Sequence, residues 1–369
     1  MSDDRNLCLE VERTDIGHTR LRESTMPPLA AGSVRLRIER VALTANTVTY
    51  AVTGDQLGYW DFFPAEPGWG RVPAMGWGTV VESTHPAIEI GSRHYGWFPL
   101  ARFVDLVASP NHDGLRDDGP HRSAHAPIYR AFPHTRRDAL YQEGEELEDR
   151  HALLRGLFLT GFLADDFLGE QDHFGARQVL VISASSKTAI GYAEQAMQRE
   201  GIELVGLTSG RNLGFVRGLG CYDSVIDYAA IESLDPAVPS VAIDMSGNGE
   251  VLGRIHAHFG DALRHSMAIG RSHHDAPPRA QILPGPKPRF FFAPTQAAKR
   301  MQDWGAAGLQ ARTRDALWAF VKGSGRWLAI ERCNGGAAAS AAWQSAFAGD
   351  VGPERGIIVS LWDAPHRAA

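Results

Sequence analysis

The chain has 369 residues, 44% of them hydrophobic, and a formal net charge of −6 with no long basic run, so two buried cores are affordable and nucleic acid is not an expected partner. Its three cysteines, Cys8, Cys221 and Cys333, are too far apart for a disulfide framework or a structural zinc site, which fits a reducing compartment. The acidic start lacks an apolar run and no segment approaches about 18 uninterrupted apolar residues, so the expectation is a cytoplasmic protein with no membrane partner.

From Asn6 to about Val107 the pattern is mostly β. In VRLRIERV, Val34, Leu36 and Ile38 alternate with Arg35, Arg37 and Glu39, as in a half-buried antiparallel strand. Turn residues punctuate PGWGRVPAMGWGTVVES, and Gly91-Ser92-Arg93 precedes the mostly apolar YGWFPL. A small barrel-like β domain follows from these runs. Ser109 to Arg150 is different: polar, broken by Pro120, Pro127 and Pro133, and without clear periodicity. It reads as a loop insertion, first of all a solvated surface excursion, alternatively a cover over a cleft or a subunit contact. Its histidines, His112, His121, His125 and His134, lack compact metal-ligand spacing.

Ala152 to Leu168 is an apolar helix candidate. Next comes the apolar run Gln178 to Ile182, a turn of small residues, and Ile190 to Arg199 with Ala193, Ala196 and Met197 at helical spacing. Further runs, Leu204 to Leu207 and Ser240 to Ile243, alternate with helix-length segments, which predicts a doubly wound, Rossmann-type parallel sheet. The first turn of such a sheet lies at a helix N-terminus, where unspent N–H groups and the helix dipole suit a phosphate. Here only Gly191 survives of the usual glycines; Ser183, Ser185, Ser186 and Thr188 offer hydroxyls and Lys187 a charge. A P-loop is excluded because Ser186 and Val181 stand where its glycines belong, and a Ser-x-x-Lys acyl-transfer site because Ala184 stands where its serine belongs. The second run ends in Thr208-Ser209-Gly210-Arg211-Asn212 with no acid. An NAD site usually has an acid there to bind the ribose hydroxyls, whereas Ser209, Arg211 and Asn212 suit a 2′-phosphate. Ser246, in the turn after Asp244, joins the candidate cofactor set. His256, His258, His265, His273 and His274 read as scattered structural histidines, because no cysteine or carboxylate pair completes a metal site. Arg289 to Ala293 reads as an apolar strand, Thr313 to Val321 as a helix packing back on the β domain, and Gly356 to Leu361 as a final strand.

This layout resembles the medium-chain dehydrogenase/reductase superfamily, in its zinc-free quinone oxidoreductase branch. Ala45 to Gly54, ANTVTYAVTG, is similar to the family segment N-P-V-E-T-Y-I-R-S-G: Thr49, Tyr50 and Gly54 match, while Asn46 falls one place off. Gly78 to Ser83 looks like the strand after the family's proline-glycine turn, and Gly91 to Gly96 like its G-D-R-V-x-G turn, with Ser92 in the acid's place. The serine-rich turn resembles that of an uncharacterised bacterial subgroup. The resemblance implies a GroES-like β-barrel domain over 1–150, with the insertion near 109–150, a Rossmann-type nucleotide-binding domain over 151–293, and a return to the β domain over 294–369. It further implies an NADPH-dependent, zinc-independent oxidoreductase that transfers hydride to a quinone or enone in the cleft between the domains, with no metal ligand. Tyr50, with Tyr59 in reserve, is the expected catalytic phenol, and a homodimer through Phe290-Phe291-Phe292 the expected assembly. The departures in the turn keep a second reading open, a non-redox nucleotide-binding or sensing protein on the same scaffold.

Overall fold

A computed structural model describes residues 5–269 and 283–363, and the chain divides into two compact units, residues 1–153 with 329–369, and residues 154–328. The chain begins in the first unit with β1 (Arg5–Glu12), β2 (Thr19–Thr25) and β3 (Ser33–Leu43), then a short helix α1 (Ala45–Val52) and a single turn α2 (Gly54–Leu57). Thr44 caps α1 by a reciprocal bond pair with Thr47, the arrangement that fixes where the helix starts. After a 3₁₀ turn at Tyr59–Phe62 come β4 (Trp69–Gly70), β5 (Pro73–Ser83), β6 (Arg93–Pro99) and β7 (Phe103–Pro110). The segment expected as a loop insertion is built in instead: β8 (Gly114–Asp117) and β9 (Ala131–Pro133) extend the sheet beyond β7, with the single turn α3 (Pro127–Arg130) between them. Phe132 and Arg122 are fully buried there. The reason it lacks periodicity is that its strands are only four and three residues long, too short to display an alternation.

The 26-residue helix α4 (Glu145–Glu170) then carries the chain from one unit into the other. Its first turns are anchored in the first unit by two buried carboxylates: Glu148 is bonded at 2.7 Å by Arg93, which also bonds Glu39 at 2.8 Å, and Asp149 pairs with Arg40 and with Arg332, both at 2.6 Å. Buried ions of this kind are costly unless paired, so each partner holds the other in place.

The second unit follows the predicted alternation: β10 (Gln178–Ile182), α5 (Lys187–Ala196), β11 (Glu203–Thr208), α6 (Leu213–Leu219), β12 (Ser224–Asp227), β13 (Ser240–Asp244), α7 (Gly249–Phe259), β14 (Leu263–Ala268) and the two-residue β15 (Arg289–Phe290). All neighbours pair parallel, in the order β12-β11-β10-β13-β14-β15. Both faces are covered: Val179 and Val181 face Ala189, Tyr192 and Leu168, while Leu180 and Ile182 face Leu252, Ile255 and Phe259. That double burial is why β10 reads as a continuous apolar run and not an alternating one. The expected strand at 289–293 ends at Phe290, because Ala293 already opens the long helix α8 (Ala293–Gly323) with Pro294 in its first turn. The helix at Thr313–Val321 forms, but α8 packs on α5 inside the second unit, so the return to the β unit comes at Ala329 and not at 294.

There the chain adds β16 (Ala329–Asn334), α9 (Gly336–Phe347) and β17 (Arg355–Ser360). Strand order in the large sheet of the first unit is β16-β17-β3-β7-β8-β9, with β5 bridging β3 to β6, which leaves a nearly closed barrel-like sheet; β2-β1-β4 form a small separate sheet. In β3, Val34, Leu36 and Ile38 are buried as the alternation predicts. Arg35 departs from it, being 9% exposed, because Glu82 and Asp105 on the flanking strands clasp it at 2.7 and 2.8 Å.

Candidate functional site

In the second unit the candidate site is the turn between β10 and α5. Ser183 is its bend, with φ at 66°, a left-handed value that normally belongs to glycine. A serine is held there because the Tyr228 hydroxyl accepts its N–H at 3.0 Å. A second tyrosine frames the turn: the Tyr222 hydroxyl donates to the Ala184 carbonyl at 2.9 Å, and its ring fits because Gly206 has no Cβ, which would meet that ring at 3.0 Å. Ser186 is the N-cap of α5, its hydroxyl accepting the Ala189 N–H at 3.3 Å. The backbone N–H groups of Ser185 and Thr188 find no acceptor among the described residues. Two unspent amides, the Lys187 ammonium, the Ser185 and Thr188 hydroxyls and the positive end of a ten-residue helix make a donor set that fits a phosphate.

The end of β11 meets this turn. Asn212 donates its side-chain amide to the Ser185 hydroxyl at 3.1 Å, so two groups of candidate residues 27 positions apart become one site. Arg211 is exposed and forms no ion pair or hydrogen bond among the described residues. Ser209 is half-buried beside it. An acid does lie nearby, from the next strand: the Asp227 carboxylate sits where a side chain on Gly210 would go, and it accepts the Ala229 N–H at 2.8 Å. Ser246 is fully buried and its hydroxyl is spent locally, donating to Asp244 at 2.7 Å and accepting the Asn248 N–H at 2.9 Å. It shapes the turn after β13.

In the first unit, Tyr50 of α1 and Tyr59 of the following 3₁₀ turn stand with ring centroids 4.6 Å apart, and Trp97 of β6 lies 5.3 Å from Tyr50. The Asn46 amide donates to the Tyr50 hydroxyl, one helical turn away. Burial, with the neighbouring phenols, pushes the ionisation of both tyrosines well above the ordinary range, so both stay neutral hydrogen-bond donors. A third phenol, Tyr129 of α3, completes the group at 6.1 Å from Tyr59 and 5.4 Å from Trp97. Neither Tyr129 nor Tyr228 was singled out from sequence. Tyr129 sits in an aperiodic stretch, and Tyr228 follows β12, whose four residues are too short to show a period.

The histidines have structural roles. His256 bonds Ser266 and the Pro284 carbonyl at 2.9 and 2.8 Å, His258 bonds the Leu234 carbonyl, and His265 stacks on Phe174 at 4.1 Å. His273 and His274 lie outside the described residues. Among the described residues no group of three or more His, Cys, Asp or Glu is arranged to hold a metal ion, and no helix is long and apolar enough to cross a membrane.

A Rossmann-type parallel sheet combined with a nearly closed barrel-like sheet is the two-domain fold of the medium-chain dehydrogenase/reductase superfamily. Solved structures share it over nearly the whole chain. CurA from Vibrio vulnificus, also solved with NADPH, matches with a TM-score of 0.56 and 16% identity, covering 98% of this chain and 99% of that one. A Mesorhizobium loti protein proposed to be an NADPH:quinone reductase matches at 0.61 and 13%, again covering 98% and 99%. The yhdH oxidoreductase of Salmonella enterica, solved with NADP, matches at 0.53 and 17%, covering 96% and 99%. No curated protein matches the sequence. Residues 41–352 match the family described as protein of unknown function DUF2855, and the chain belongs to that family.

Proposed function

We propose that the protein is an NADPH-dependent, zinc-independent oxidoreductase acting on an activated double bond or carbonyl such as a quinone or enone. The observation that carries this reading is the Ser185–Asn212 contact, which joins the phosphate-suited turn to the end of β11, where Arg211 is left unpaired among the described residues. Ser185, Ser186, Lys187 and Thr188 would hold the pyrophosphate, and Ser209, Arg211 and Asn212 the 2′-phosphate. NADPH, when bound, supplies a hydride; the chain supplies orientation and hydrogen bonds. An enone or quinone needs no metal, because its own carbonyl delocalises the arriving charge. Tyr50 and Tyr59 would donate hydrogen bonds to that oxygen as charge builds on it. The likeness of the fold to CurA, solved with NADPH, and to the yhdH oxidoreductase, solved with NADP, supports the same reading.

Titration of NADPH and NADH, followed by tryptophan quenching, tests it. A single charge-assisted phosphate contact is worth about 1.5–3 kcal/mol, or roughly tenfold to a hundredfold in affinity. Arg211→Ala should therefore weaken NADPH by that factor and leave NADH nearly unchanged. Equal affinity of the wild-type protein for both nucleotides, or equal loss of both in the variant, refutes the assignment. The serines that replace the usual turn glycines keep open the alternative of a non-redox nucleotide-binding protein on the same scaffold. Nucleotide binding with no turnover across a panel of quinones and enones would select that alternative.

A further inference from the structure

Resting on the reading of Tyr50 and Tyr59 as phenols that bind a substrate oxygen, we propose that the insertion completes their site: Tyr129 supplies a third hydroxyl to the carbonyl oxygen of the ligand, and Arg122 is the positioning residue that holds it there. The four rings of Tyr50, Tyr59, Trp97 and Tyr129 form a closed group with neighbouring centroids 4.6 to 6.1 Å apart. Tyr50 and Tyr59 are only 8% and 9% exposed, whereas Tyr129 is half-buried and is the most exposed of the three phenols.

Its position is fixed by an unusual investment in a buried charge. The Arg122 guanidinium is fully buried, and one nitrogen donates to the Phe62 carbonyl at 3.1 Å while another donates to the carbonyl of Tyr129 itself. Phe62 ends the 3₁₀ turn that begins with Tyr59, so one guanidinium ties the two phenol-bearing segments together. It also lies 4.1 Å over the Phe62 ring. The other end of the turn is held from the insertion too, since His125 bonds the Gly58 carbonyl at 2.9 Å. Asp117, 3.8 Å from Arg122, is the carboxylate that balances the charge. Burying an arginine is costly unless its donors are used, and here two of its nitrogens are used on the Phe62 and Tyr129 carbonyls, while Nε faces the Asp117 carboxylate at 3.8 Å without a hydrogen bond. The Tyr59 hydroxyl donates to that of Tyr129, which leaves the Tyr129 O–H as a neutral donor, suited to a planar carbonyl compound over a carboxylate.

The test uses 4-(dimethylamino)cinnamaldehyde, whose visible band moves to the red when its carbonyl oxygen accepts hydrogen bonds, bound to the full chain without nucleotide. Tyr129→Phe should shrink the red shift and raise the Kd about threefold to tenfold, the worth of one net hydrogen bond. Arg122→Lys should cause a similar loss in the wild-type background and no further loss of shift in the Tyr129→Phe background, as expected if it acts through that hydroxyl. An unchanged band and Kd in Tyr129→Phe, or a wild-type protein that gives no shifted band, overturns the proposal. A further loss in the double variant overturns the positioning role of Arg122. NADPH titration of the same proteins separates the two ideas: failure of the wild type to bind NADPH sinks the nucleotide reading, whereas Tyr129→Phe should bind NADPH as the wild type does.

Discussion

Ser183 shows how a single residue keeps a glycine's conformation without being one. Its left-handed φ places Cβ against the backbone, and its anchoring by Tyr228 offsets that strain. Two substitutions separate the contributions. Ser183→Ala removes the hydroxyl and keeps the strained Cβ, whereas Ser183→Gly removes both. Glycine gives back part of the gain as unfolded-chain entropy, so Ser183→Gly should be more stable than Ser183→Ala by roughly 0.5–1 kcal/mol in urea unfolding. Equal stabilities, or alanine above glycine, would mean that the φ angle costs nothing there. The sequence showed that serines replace the turn glycines, which located the site. It could not show which serine takes the left-handed place, because that is fixed by a tyrosine 45 residues away.

At the scale of elements, the turn is placed by how α4 meets α5. A Cβ on Gly161 of α4 would lie 2.6 Å from the Tyr192 nitrogen and 2.8 Å from the Thr188 carbonyl oxygen, both backbone atoms of α5. Alanine is the better helix former by about 1 kcal/mol, yet backbone cannot move aside as a side chain does, and overpacking costs about 1–3 kcal/mol. Gly161→Ala should therefore lower the melting temperature and, by displacing the first turn of α5, weaken NADPH binding; a variant with raised stability would show that the helices separate freely. The inserted strands carry a pH-dependent element of their own. His94 on β6 bonds the Phe132 carbonyl on β9 at 3.0 Å and the Ser92 hydroxyl at 3.0 Å, and burial pushes its pKa down from 6.5 to about 4. Above pH 6.5 the ring is neutral whether the chain is folded or not. Between 6.5 and about 4 the unfolded chain takes up a proton that the folded one refuses, so stability falls as the pH falls, and below about 4 this loss is complete. From pH 7 to 4.5 the wild-type protein should lose about 2 kcal/mol more than His94→Gln; parallel urea titrations with the same pH slope would remove His94 as the cause. Long, strongly patterned elements such as β3 and β10 were legible in the sequence because each buries enough of one or both faces to set a period. The strands β8 and β9 were not, since three or four residues cannot show one and their partners are set by tertiary contacts such as Arg122 and His94.

For the whole molecule, the open question of assembly turns on β15. It is the last strand of the parallel sheet and pairs with β14 through only two residues. The side chains from its last residue onward alternate: Phe291 turns inward onto Phe167 at 5.6 Å, while Phe290 and Phe292 remain 66% and 41% exposed. Two exposed phenylalanines on an edge that no other strand pairs among the described residues invite pairing with another chain, and proteins leave such edges bare only at the risk of aggregation. A second copy meeting this edge about a two-fold axis is the arrangement proposed here. In a two-fold interface each substitution is felt twice, once from each subunit. Burying one phenylalanine is worth about 1.5–3 kcal/mol, so Phe290→Ala should weaken the dimer by roughly 3–6 kcal/mol, on the order of a hundredfold or more in Kd. Light scattering at micromolar concentration should give twice the chain mass for the wild-type protein and a single chain for Phe290→Ala. A wild-type protein that scatters as one chain at that concentration would rule the dimer out, and a Phe290→Ala dimer of unchanged affinity would place any assembly on another surface.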